Sequence, residues 1–509
     1  AYIKEFRDIF SSHGLPPDLV FLACVESSFD VRAYSKFGAA GIWQFTRDTG
    51  RLFMEIDYVV DQRRDPFVAT DAAARLLKKN YARLREWPSA ITAYNHGLAG
   101  MLRAKKKKGS YEAIFNSYTS RSFRFASRNF YSEFLAARQV AKAYKTHFGD
   151  LSFDKPVRTT RFTTKGYVPV TALSDALGLH INELKSMNPA LRPPVFKGQK
   201  YIPKGFQLKF PGRISPATIG QALSGLYRDR QKPSRFHRVR KGDTAGAIAR
   251  THGVGLRDLV LANGLGKKAL IYIGQNLRIP VREEIIMAKK HPSLPASAPG
   301  KKGPSRSPGN GIKKSRSVHK TKSPNKATQP LENGTPTGLI PAKEPLPRSG
   351  AVYSAIPLDD LKVTKTSKRD NASFGIIKVA AEETLGHYAD WLKISTSRLR
   401  SVNRMTKEKR LSIGQTIKIP LPSSGSAAFE EQRNEFHREI EEDFFESFMV
   451  SEEQTYEVKN GDSLWLLCSS KLEVPFWLLK KYNPVTDFHS LTPGQKIRYP
   501  VITKKVRGL

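Results

Sequence analysis

The chain has 509 residues, enough for several domains, and carries 85 Lys and Arg against 46 Asp and Glu, a formal net charge of +39. This excess of positive charge predicts an anionic partner, and no segment reaches the roughly 20 apolar residues that a membrane-spanning helix needs. The cysteines, Cys24 and Cys468, lie in apolar helical runs of different domains. That context favours buried hydrophobic side chains over a bridge, a metal site or a nucleophile.

A helix predicted over residues 16–27 contains one late acid in an otherwise apolar run. Two prolines and an aspartate open it, and Leu22 and Ala23 precede Glu26 by four and three residues, so the acid shares their core-facing side. Burial disfavours the charged carboxylate and raises its pKa, which leaves a protonated acid able to donate at neutral pH. The alternative is a carboxyl that satisfies a neighbouring backbone group near the helix end.

A turn of small residues follows at 35–45 and delivers Trp43 and Gln44. An aromatic ring and an amide are the pair that a sugar site needs, one to stack on a ring face and the other to bind an N-acetyl group. A later helix carries Ala72, Ala73, Leu76, Leu77 and Tyr81, and residues 93–97 after it read Ala-Tyr-Asn-His-Gly.

Taken in order, these motifs resemble the lytic transglycosylases with a goose-lysozyme-like fold, and in particular the membrane-bound lytic transglycosylase D group. The resemblance is carried by Glu26-Ser27, by Gly41-Ile42-Trp43-Gln44 with its Trp, by Ala93-Tyr94-Asn95-His96-Gly97, and by the stretches 60–66 and 130–137. It covers roughly residues 1–150.

The resemblance implies a mechanism with a single acid and no metal or cofactor. Glu26 would protonate the glycosidic oxygen and then take the proton from the C6 hydroxyl of the same N-acetylmuramic acid, which closes a 1,6-anhydro ring. By the same resemblance Tyr94 would hydrogen-bond Glu26, while Ser27 and Asn95 would position the acid and the substrate, and Gln44 would contact the sugar. Structural roles are the alternative: core aromatics for Trp43 and Tyr94, caps for Ser27 and Asn95.

Two other functions compete with this interpretation. A hydrolytic lysozyme needs a second carboxylate to hold water, and none of the nearby acids stands out; they are Asp30, Asp48, Asp57, Asp61 and Asp65. A catalytically inactive peptidoglycan-binding scaffold is the other option, which the complete set of Glu26, Gln44, Tyr94 and Asn95 disfavours.

The C-terminal half repeats itself. Three segments beginning at Gly274, Gly414 and Gly494 share a turn, an alternating strand and a proline, and an Asn lies eleven residues before each Gly. A strand, two helices and a strand in such a short unit resemble the LysM carbohydrate-binding module. The resemblance places the glycan in a shallow groove between two loops, which are represented here by Asp243, Thr244, Asn263, Asp462, Ser463 and Asn483. Capping and turn formation explain the same residues without a ligand.

The copies differ. The second has Glu382-Glu383-Thr384 where the first has Gly-Asp-Thr, which puts sugar binding there in doubt, and the third adds Trp465 and Trp477. The predicted domains are a lysozyme-like lytic transglycosylase domain at 1–150, a degenerate LysM-like domain at 160–213, a LysM module at 236–282, a disordered basic Pro/Ser/Lys-rich linker at 283–372, a divergent LysM module at 373–421, a connecting amphipathic helix at 425–450 and a LysM module at 454–502. The linker is expected to act as a tether that raises effective concentration.

The predicted fold class is α+β multidomain: a mainly helical lysozyme-like domain followed by small βααβ modules. The expected partners are peptidoglycan glycan strands, with anionic envelope polymers or a membrane surface as further options. A nucleic-acid binder is the rival class, but no motif for reading bases accompanies the basic patches. The chain begins at Ala1 without Met or an export signal, so we expect a trimmed protein. An extracytoplasmic location, in the periplasm or cell envelope, follows from the substrate class, with a membrane anchor outside this chain as an option.

Overall fold

The computed structural model describes residues 2–120, 122–153, 158–263, 265–266, 268–271, 275–280, 361–369, 372–488 and 490–505. The chain is mixed α+β, with a mainly helical N-terminal part followed by small units that combine strands with short helices. Most of the predicted linker at 283–372 lies outside the described residues. Within the ranges given above, every helix is too short or too polar to cross a bilayer.

Helices dominate the first 148 residues. They are α1 (Ile3–Ser12), α2 (Leu22–Ser27), α3 (Arg47–Gly50), α4 (Pro66–Leu84), α5 (Trp87–His96), α6 (Leu98–Lys108), α7 (Tyr111–Ser117), α8 (Phe125–Lys142) and α9 (Tyr144–Phe148), with 3₁₀ helices at Pro17–Phe21 and Gln62–Arg64. The helix predicted over 16–27 is therefore divided, because its first turns are 3₁₀ and only the last six residues are α-helical.

The core of this part forms between α1, α4 and the turn of residues 33–45. Helix α4 begins where the Asp65 carboxylate accepts hydrogen bonds from the Phe67 and Val68 amides, with a proline at the first helical position. The buried face of α4 is rich in alanine, which allows α1 and α5 to pack closely against it. Phe10 of α1 packs against Trp43 of the turn, with ring centroids 5.6 Å apart.

Gly41 fixes the turn against a buried ion pair. Its φ is +76°, and a Cβ at this position would lie 1.9 Å from the Arg63 carbonyl oxygen. The Arg63 side chain is wholly buried, is paired with Asp61, and donates to the carbonyl oxygens of Gly38 and Phe45. The turn is therefore held in place by hydrogen bonds from a buried ion pair that has no access to water.

We expect Gly41→Ala to destabilise the N-terminal domain by more than the ~1–2 kcal/mol that a left-handed alanine costs, because the new methyl group collides with backbone atoms. Gly14→Ala is the matched control, since Gly14 has φ +69° and nothing within 4 Å of its added Cβ. Thermal unfolding of both variants separates the cost of the left-handed alanine from the cost of the collision. Equal losses of stability would show that the collision is relieved by movement of the chain.

The small units share a pattern of paired antiparallel strands with helices between them. The first contains β1 (Thr159–Thr163), α10 (Val170–Leu177), α11 (Ile181–Met187), α12 (Pro193–Phe196) and β2 (Gln207–Pro211), and α13 (Pro216–Ser224) follows it. The second contains β3 (Arg235–Arg238), α14 (Ala245–Thr251), α15 (Leu256–Ala262) and β4 (Asn276–Ile279). The third contains β5 (Lys365–Arg369), β6 (Ala372–Lys378), α16 (Leu385–Trp391), α17 (Thr396–Val402) and β7 (Thr416–Leu421).

A long helix, α18 (Ala427–Ser447), comes next and leads directly into the last unit. That unit contains β8 (Phe448–Glu457), α19 (Leu464–Leu466), a π-helix at Leu467–Lys471, α20 (Phe476–Tyr482) and β9 (Lys496–Lys504). Each first strand pairs antiparallel with the last strand of its unit, except that in the third unit β6 lies between β5 and β7.

One asparagine makes the same contacts in all four units. Asn263 donates to the carbonyl oxygens of Leu259 and Arg278 and accepts from the Arg278 amide. The equivalent residues are Asn188, Asn403 and Asn483. The regular spacing of these asparagines therefore has a structural cause, because each one joins the end of a helix to the last strand of its unit.

Strand β5 lies inside the stretch that the sequence predicts as linker. Residues 365–369 pair antiparallel with residues 372–376 of β6, so ordered structure begins earlier than position 373. The segment is Lys-Thr-Ser-Lys-Arg, and such a polar composition gives no apolar alternation to signal a strand. An edge strand of this kind is held by backbone pairing.

Helix α18 contacts the N-terminal domain and every repeat. Ion pairs or hydrogen bonds link Glu439 to Arg47, Asp443 to Arg192, Asn434 to Asn276, Arg433 to Glu383 and Glu441 to Lys481. An amphipathic helix, as the sequence predicts over 425–450, carries its acids on faces away from its apolar side, but Glu435 and Glu439 are buried. They are buried because basic residues from distant parts of the chain surround the helix.

Asp443 is the centre of this ion network. Its carboxylate lies 2.7 Å from Arg192, 2.8 Å from Arg47 and 3.1 Å from Arg64. Burial alone would raise the pKa of this carboxyl, but the surrounding arginines outweigh burial and hold the pKa below its ordinary value. Asp443 is therefore ionised, and it joins three segments that are far apart in sequence.

Candidate active site

Glu26 occupies the last turn of α2, directly before the chain leaves the helix. Ser28 and Phe29 have positive φ values of 52° and 61° and end the helix abruptly. Leu22 and Ala23 are wholly buried on the same side of α2, while Glu26 itself is half-buried. Glu26 therefore lies next to buried apolar side chains, and part of its side chain remains exposed.

The surroundings of Glu26 favour its protonated form. Burial is the larger cause and the negative charge of Glu133 on α8 the smaller one, and together they raise the pKa of Glu26 to about 8. Within the described residues, the Glu26 carboxyl has no hydrogen-bond or ion-pair partner that would favour the charged form. A carboxyl in this state can donate a proton near neutral pH.

Two hydrogen bonds tie the turn of residues 33–45 to the helices around Glu26. The Ser27 hydroxyl donates to the Ile42 carbonyl oxygen at 2.7 Å, and the Tyr94 hydroxyl donates to the Trp43 carbonyl oxygen at 2.9 Å. The resemblance implies a hydrogen bond from Tyr94 to Glu26, but in the structure the Tyr94 hydroxyl donates to the backbone instead. Tyr94 still lies in the field of that acid, because burial and then Glu26 raise the pKa of its hydroxyl well above the ordinary value.

Trp43 lies in the core, which corrects the stacking role that the sequence predicts. Its side chain is wholly buried, and its Nε1 donates to the Thr70 hydroxyl at 2.8 Å. Aromatic rings from α1 and α5 pack around it. A sugar cannot reach the indole, so Trp43 can act on the site only through its backbone carbonyl, which holds Tyr94.

Gln44 has a strained backbone conformation near the end of the turn of residues 33–45. Its φ is 45°, which is uncommon for a residue other than glycine and marks a position that the fold holds in place. The amide nitrogen donates to the Gly41 carbonyl oxygen at 2.9 Å and more weakly to that of Ala33 at 3.3 Å. The described residues provide no donor to the amide oxygen, so that oxygen can accept a hydrogen bond from a ligand.

Asn95 and Glu133 belong to the opposite side of the site. Asn95 is exposed at the end of α5, and its amide oxygen accepts from the Ser127 hydroxyl of α8 at 2.8 Å. Glu133 lies on the same helix within electrostatic range of Glu26. The sequence motif that contains Glu133 was recognised, but its carboxylate received no role, since only the packing of α8 against α2 brings the two acids together.

Glu26 therefore lies between the turn of residues 33–45 and helix α8. We call the region around the Glu26 carboxyl, which these two elements flank, the cleft. Ser27 and Tyr94 join the turn to α2 and α5 through the hydrogen bonds given above, Asn95 joins the end of α5 to α8, and the Trp43 side chain lies in the core.

The aspartates weighed for a hydrolase have other contacts. Asp30 accepts from the Arg32 amide, Asp57 from the Val59 and Val60 amides, and Asp65 caps α4 and pairs with Lys209. Asp61 is wholly buried with Arg63, and Asp48 is exposed in the first turn of α3. Structural contacts account for four of the five, and Glu133 is the carboxylate that acts on Glu26.

The loop residues predicted to bind glycan in the repeats also make contacts within their own units. Thr244 and Ser463 cap helices by accepting from the Ala247 and Leu466 amides. Asp243 accepts from the Arg240 amide and contacts His237, and Asp462 accepts from the Lys459 amide and from Tyr456. Asn263 and Asn483 join helix to strand as described above. Sugar binding by these six residues stays a prediction.

Several parts of the chain are similar to known protein families and to known proteins. Residues 11–115 match the transglycosylase SLT domain, and residues 237–280, 377–420 and 456–500 match the LysM domain. The membrane-bound lytic murein transglycosylase D of Escherichia coli (strain K12) is 28% identical over 274 residues, which are 52% of this chain and 60% of that protein. The protein of the same name from E. coli O6:H1 (strain CFT073) gives the same values.

A protein named for tributyltin chloride resistance, from Alteromonas sp. (strain M-1), is 35% identical over 93 residues, which are 18% of this chain and 45% of that protein. The chain thus spans 60% of the length of the E. coli relatives that it matches. Taken with the fold and the site, these matches show that the chain carries a transglycosylase SLT domain and three LysM domains, and that it is homologous to membrane-bound lytic murein transglycosylase D over about half of its length.

Proposed function

We propose that the protein is a peptidoglycan lytic transglycosylase that cleaves the β-1,4 bond between N-acetylmuramic acid and N-acetylglucosamine without water. The observation that carries this proposal is the half-buried Glu26 carboxyl, whose pKa is raised to about 8, in a domain of the transglycosylase SLT family. A protonated acid of this kind can supply the first step of glycosidic bond cleavage.

The proposed reaction uses Glu26 twice. Its proton passes to the glycosidic oxygen as the bond to C1 breaks, and the N-acetylglucosamine leaves as an alcohol. The C6 hydroxyl oxygen of the same N-acetylmuramic acid then bonds to C1, and its proton returns to the Glu26 carboxylate. The product is a 1,6-anhydro end, and the acid is regenerated in its starting form. An internal hydroxyl held in place has a high effective concentration relative to water.

The neighbouring residues would serve this reaction by holding the cleft in shape. Ser27 and Tyr94 fix the turn through backbone carbonyl oxygens, and the amide oxygen of Gln44 can accept from the substrate. Asn95 is held by Ser127 at the other side of the cleft. The LysM domains would bind the same polymer, and the positive charge of the chain suits the carboxylates of peptidoglycan or other anionic envelope polymers.

The proposed location is extracytoplasmic, in the periplasm or cell envelope, because peptidoglycan lies there. The E. coli relatives are named as membrane-bound proteins.

Mass analysis of peptidoglycan digested by the intact chain tests the proposed function. Anhydro ends, lighter by one water than reducing ends, are the expected product. Reducing ends would instead show a hydrolase, for which the position of Glu133 near Glu26 is the supporting observation. An absence of soluble fragments would show a binding protein without activity.

The rate of cleavage is expected to fall as the pH rises through about 8, because the first step needs protonated Glu26 and its pKa lies there. Glu133→Gln removes the negative charge that is the second cause of the raised pKa, so this descending limb should move to lower pH. The measurement is the pH profile of kcat/KM on soluble glycan strands for both proteins. A limb that stays in place would exclude Glu133 as a cause.

The same shift has a consequence for stability. The folded chain binds a proton at Glu26 between the ordinary pKa of 4.5 and about 8, where the unfolded chain has lost it. Stability attributable to this residue therefore decreases with rising pH across that window.

A further inference from the structure

The third LysM domain contacts the SLT domain at two places on the two sides of the cleft. The Glu473 carboxylate lies 2.9 Å from the Lys36 ammonium nitrogen. The Arg124 guanidinium donates to the Ser470 hydroxyl at 3.1 Å and lies 5.2 Å from the centre of the Trp465 ring. One short segment of the module, residues 465–473, therefore spans from one side to the other.

These two contacts fall on the elements that flank Glu26. Lys36 belongs to the turn of residues 33–45, and Arg124 directly precedes α8. Nine residues separate Arg124 from Glu133, and at 1.5 Å per residue this is about 13 Å along the helix axis. The module segment therefore lies at the N-terminal end of α8, and we take this as one end of the cleft, because Glu133 beside Glu26 lies further along the same helix.

The position of the module does not depend on these exposed contacts alone. Tyr34 and Ala40 of the SLT domain share a buried cluster with Phe444 of α18 and with Trp477 of the third module. The rings of Phe444 and Trp477 meet edge to face, with centroids 5.4 Å apart. Because a surface ion pair contributes little by itself, this apolar packing is what fixes the module beside the cleft.

The end of the cleft is rich in exposed aromatic side chains next to cations. Trp465 is 44% exposed, Phe37 beside Lys36 is 55% exposed, and Phe125 beside Arg124 is 77% exposed. Since Arg124 lies over the ring of Trp465, the remaining exposure leaves indole surface that can meet a ligand. Aromatic rings stack on the apolar faces of sugars, and guanidinium groups bind carboxylates.

We propose that Trp465 and Arg124 form a saccharide subsite at this end of the cleft, where they bind the same glycan strand that Glu26 cleaves. Trp465 would stack on a sugar ring, and Arg124 would pair with a carboxylate of the strand. The inference rests on the proposed function, and it makes the third LysM domain part of the substrate site. It concerns a residue outside the three loop positions predicted for sugar binding in that domain, Asp462, Ser463 and Asn483.

The test is the kinetics of the full chain with Trp465→Ala on soluble, uncross-linked glycan strands of increasing length. KM on strands long enough to reach the module should rise roughly tenfold, the size of a lost stacking contact. The kcat value, and kcat/KM on the shortest cleavable strands, should not change. Trp465→Phe retains a ring and should recover most of the loss, whereas Phe148→Ala removes an exposed aromatic of α9 and should have no effect.

Each other outcome overturns the inference. An equal effect of Trp465→Ala on short and long strands would mean that the residue acts on the fold of the domain. Faster cleavage by Glu473→Gln, which removes the ion pair with Lys36 without touching Trp465, would mean that this segment of the module covers the cleft. An unchanged KM on long strands would mean that the module binds a different strand or none.

Failure of the proposed function can be separated from failure of this inference. Binding of soluble, uncross-linked glycan strands of increasing length to a full chain carrying Glu26→Gln, measured by calorimetry, needs no cleavage, and these strands carry the N-acetylmuramic acid carboxylates with which Arg124 would pair. If the intact chain gives no anhydro products but affinity still rises with length and loses that rise with Trp465→Ala, the subsite stands and the reaction does not. No dependence on length in this assay would refute the subsite.

Discussion

Replacing Glu26 by Gln is expected to lower the rate of glycan cleavage by about 10³-fold or more, because the variant loses both the proton donor and the group that takes the proton back. The substitution keeps the size of the side chain and removes an ionisable group from an apolar site. The variant should therefore fold, and above neutral pH it should be at least as stable as the parent chain. Mass analysis of peptidoglycan digests measures the activity, and thermal unfolding checks the fold.

Glu133→Gln is the matched control for this experiment. It removes a carboxylate from the exposed side of α8 without touching the acid, and a transglycosylase should retain most of its activity at a pH below 7. If Glu133→Gln were as damaging as Glu26→Gln at that pH, two carboxylates would be needed, and hydrolysis would become the better interpretation. Residual activity of Glu26→Gln near that of the parent chain would remove Glu26 from the mechanism.

Asp443→Ala is expected to weaken the attachment of α18 to the rest of the protein by about 3–5 kcal/mol, the usual cost of leaving a buried partner charge unpaired. Arg192 is wholly buried and lies 2.7 Å from Asp443, and Arg47 is almost as buried. Neither side chain can turn to solvent without moving the domain around it. Hydrogen exchange in α18 and limited proteolysis should both become faster.

Asp390→Ala provides the comparison. Asp390 forms an ion pair at 3.4 Å with Lys393, and both side chains are mostly exposed, so its loss should change stability by less than about 1 kcal/mol. If both variants behaved alike, the ion network around α18 would not hold the domains together in solution. The position of the third LysM domain beside the cleft would then rest on the apolar cluster of Tyr34, Ala40, Phe444 and Trp477 alone.

The sequence was most informative where the structure is local. Glu26 follows Leu22 and Ala23 on one face of a helix, and that spacing is enough to predict a shielded acid. The repeats can be recognised because one asparagine in each unit contacts the last strand. That contact fixes the number of residues between the asparagine and the strand. Both patterns are complete within a few dozen residues of chain, so no tertiary information is needed to see them.

The errors came from contacts between distant segments. The turn of small residues around Trp43 predicts a ring that stacks on a sugar, but α1 and α4 bury the Trp43 side chain. The amphipathic pattern places Glu439 on a polar face of its helix, because its partners Arg47 and Arg192 lie hundreds of residues away in sequence. Glu133 was overlooked for the same reason, as only the packing of α8 on α2 places it near Glu26.

The expected tether also needs revision. The sequence predicts that residues 283–372 let the later modules hold polymer while the catalytic domain searches nearby. In the structure, α18 and the last two LysM domains pack on the SLT domain through the ion network and through the apolar cluster that includes Tyr34 and Ala40. The last two LysM domains are therefore packed on the SLT domain. Their position relative to the cleft is set by these contacts and not by a raised local concentration.

The single helix on which four repeat units and the SLT domain meet has a geometric consequence. The spacing between Glu26 and each module is set by rigid contacts, and lengthening or shortening residues 281–360 should leave that spacing unchanged. A strand bound along the outside of the modules would enter the cleft in one direction and at one register. The fixed distance between the modules and Glu26 would then determine which glycosidic bond of the strand is cut.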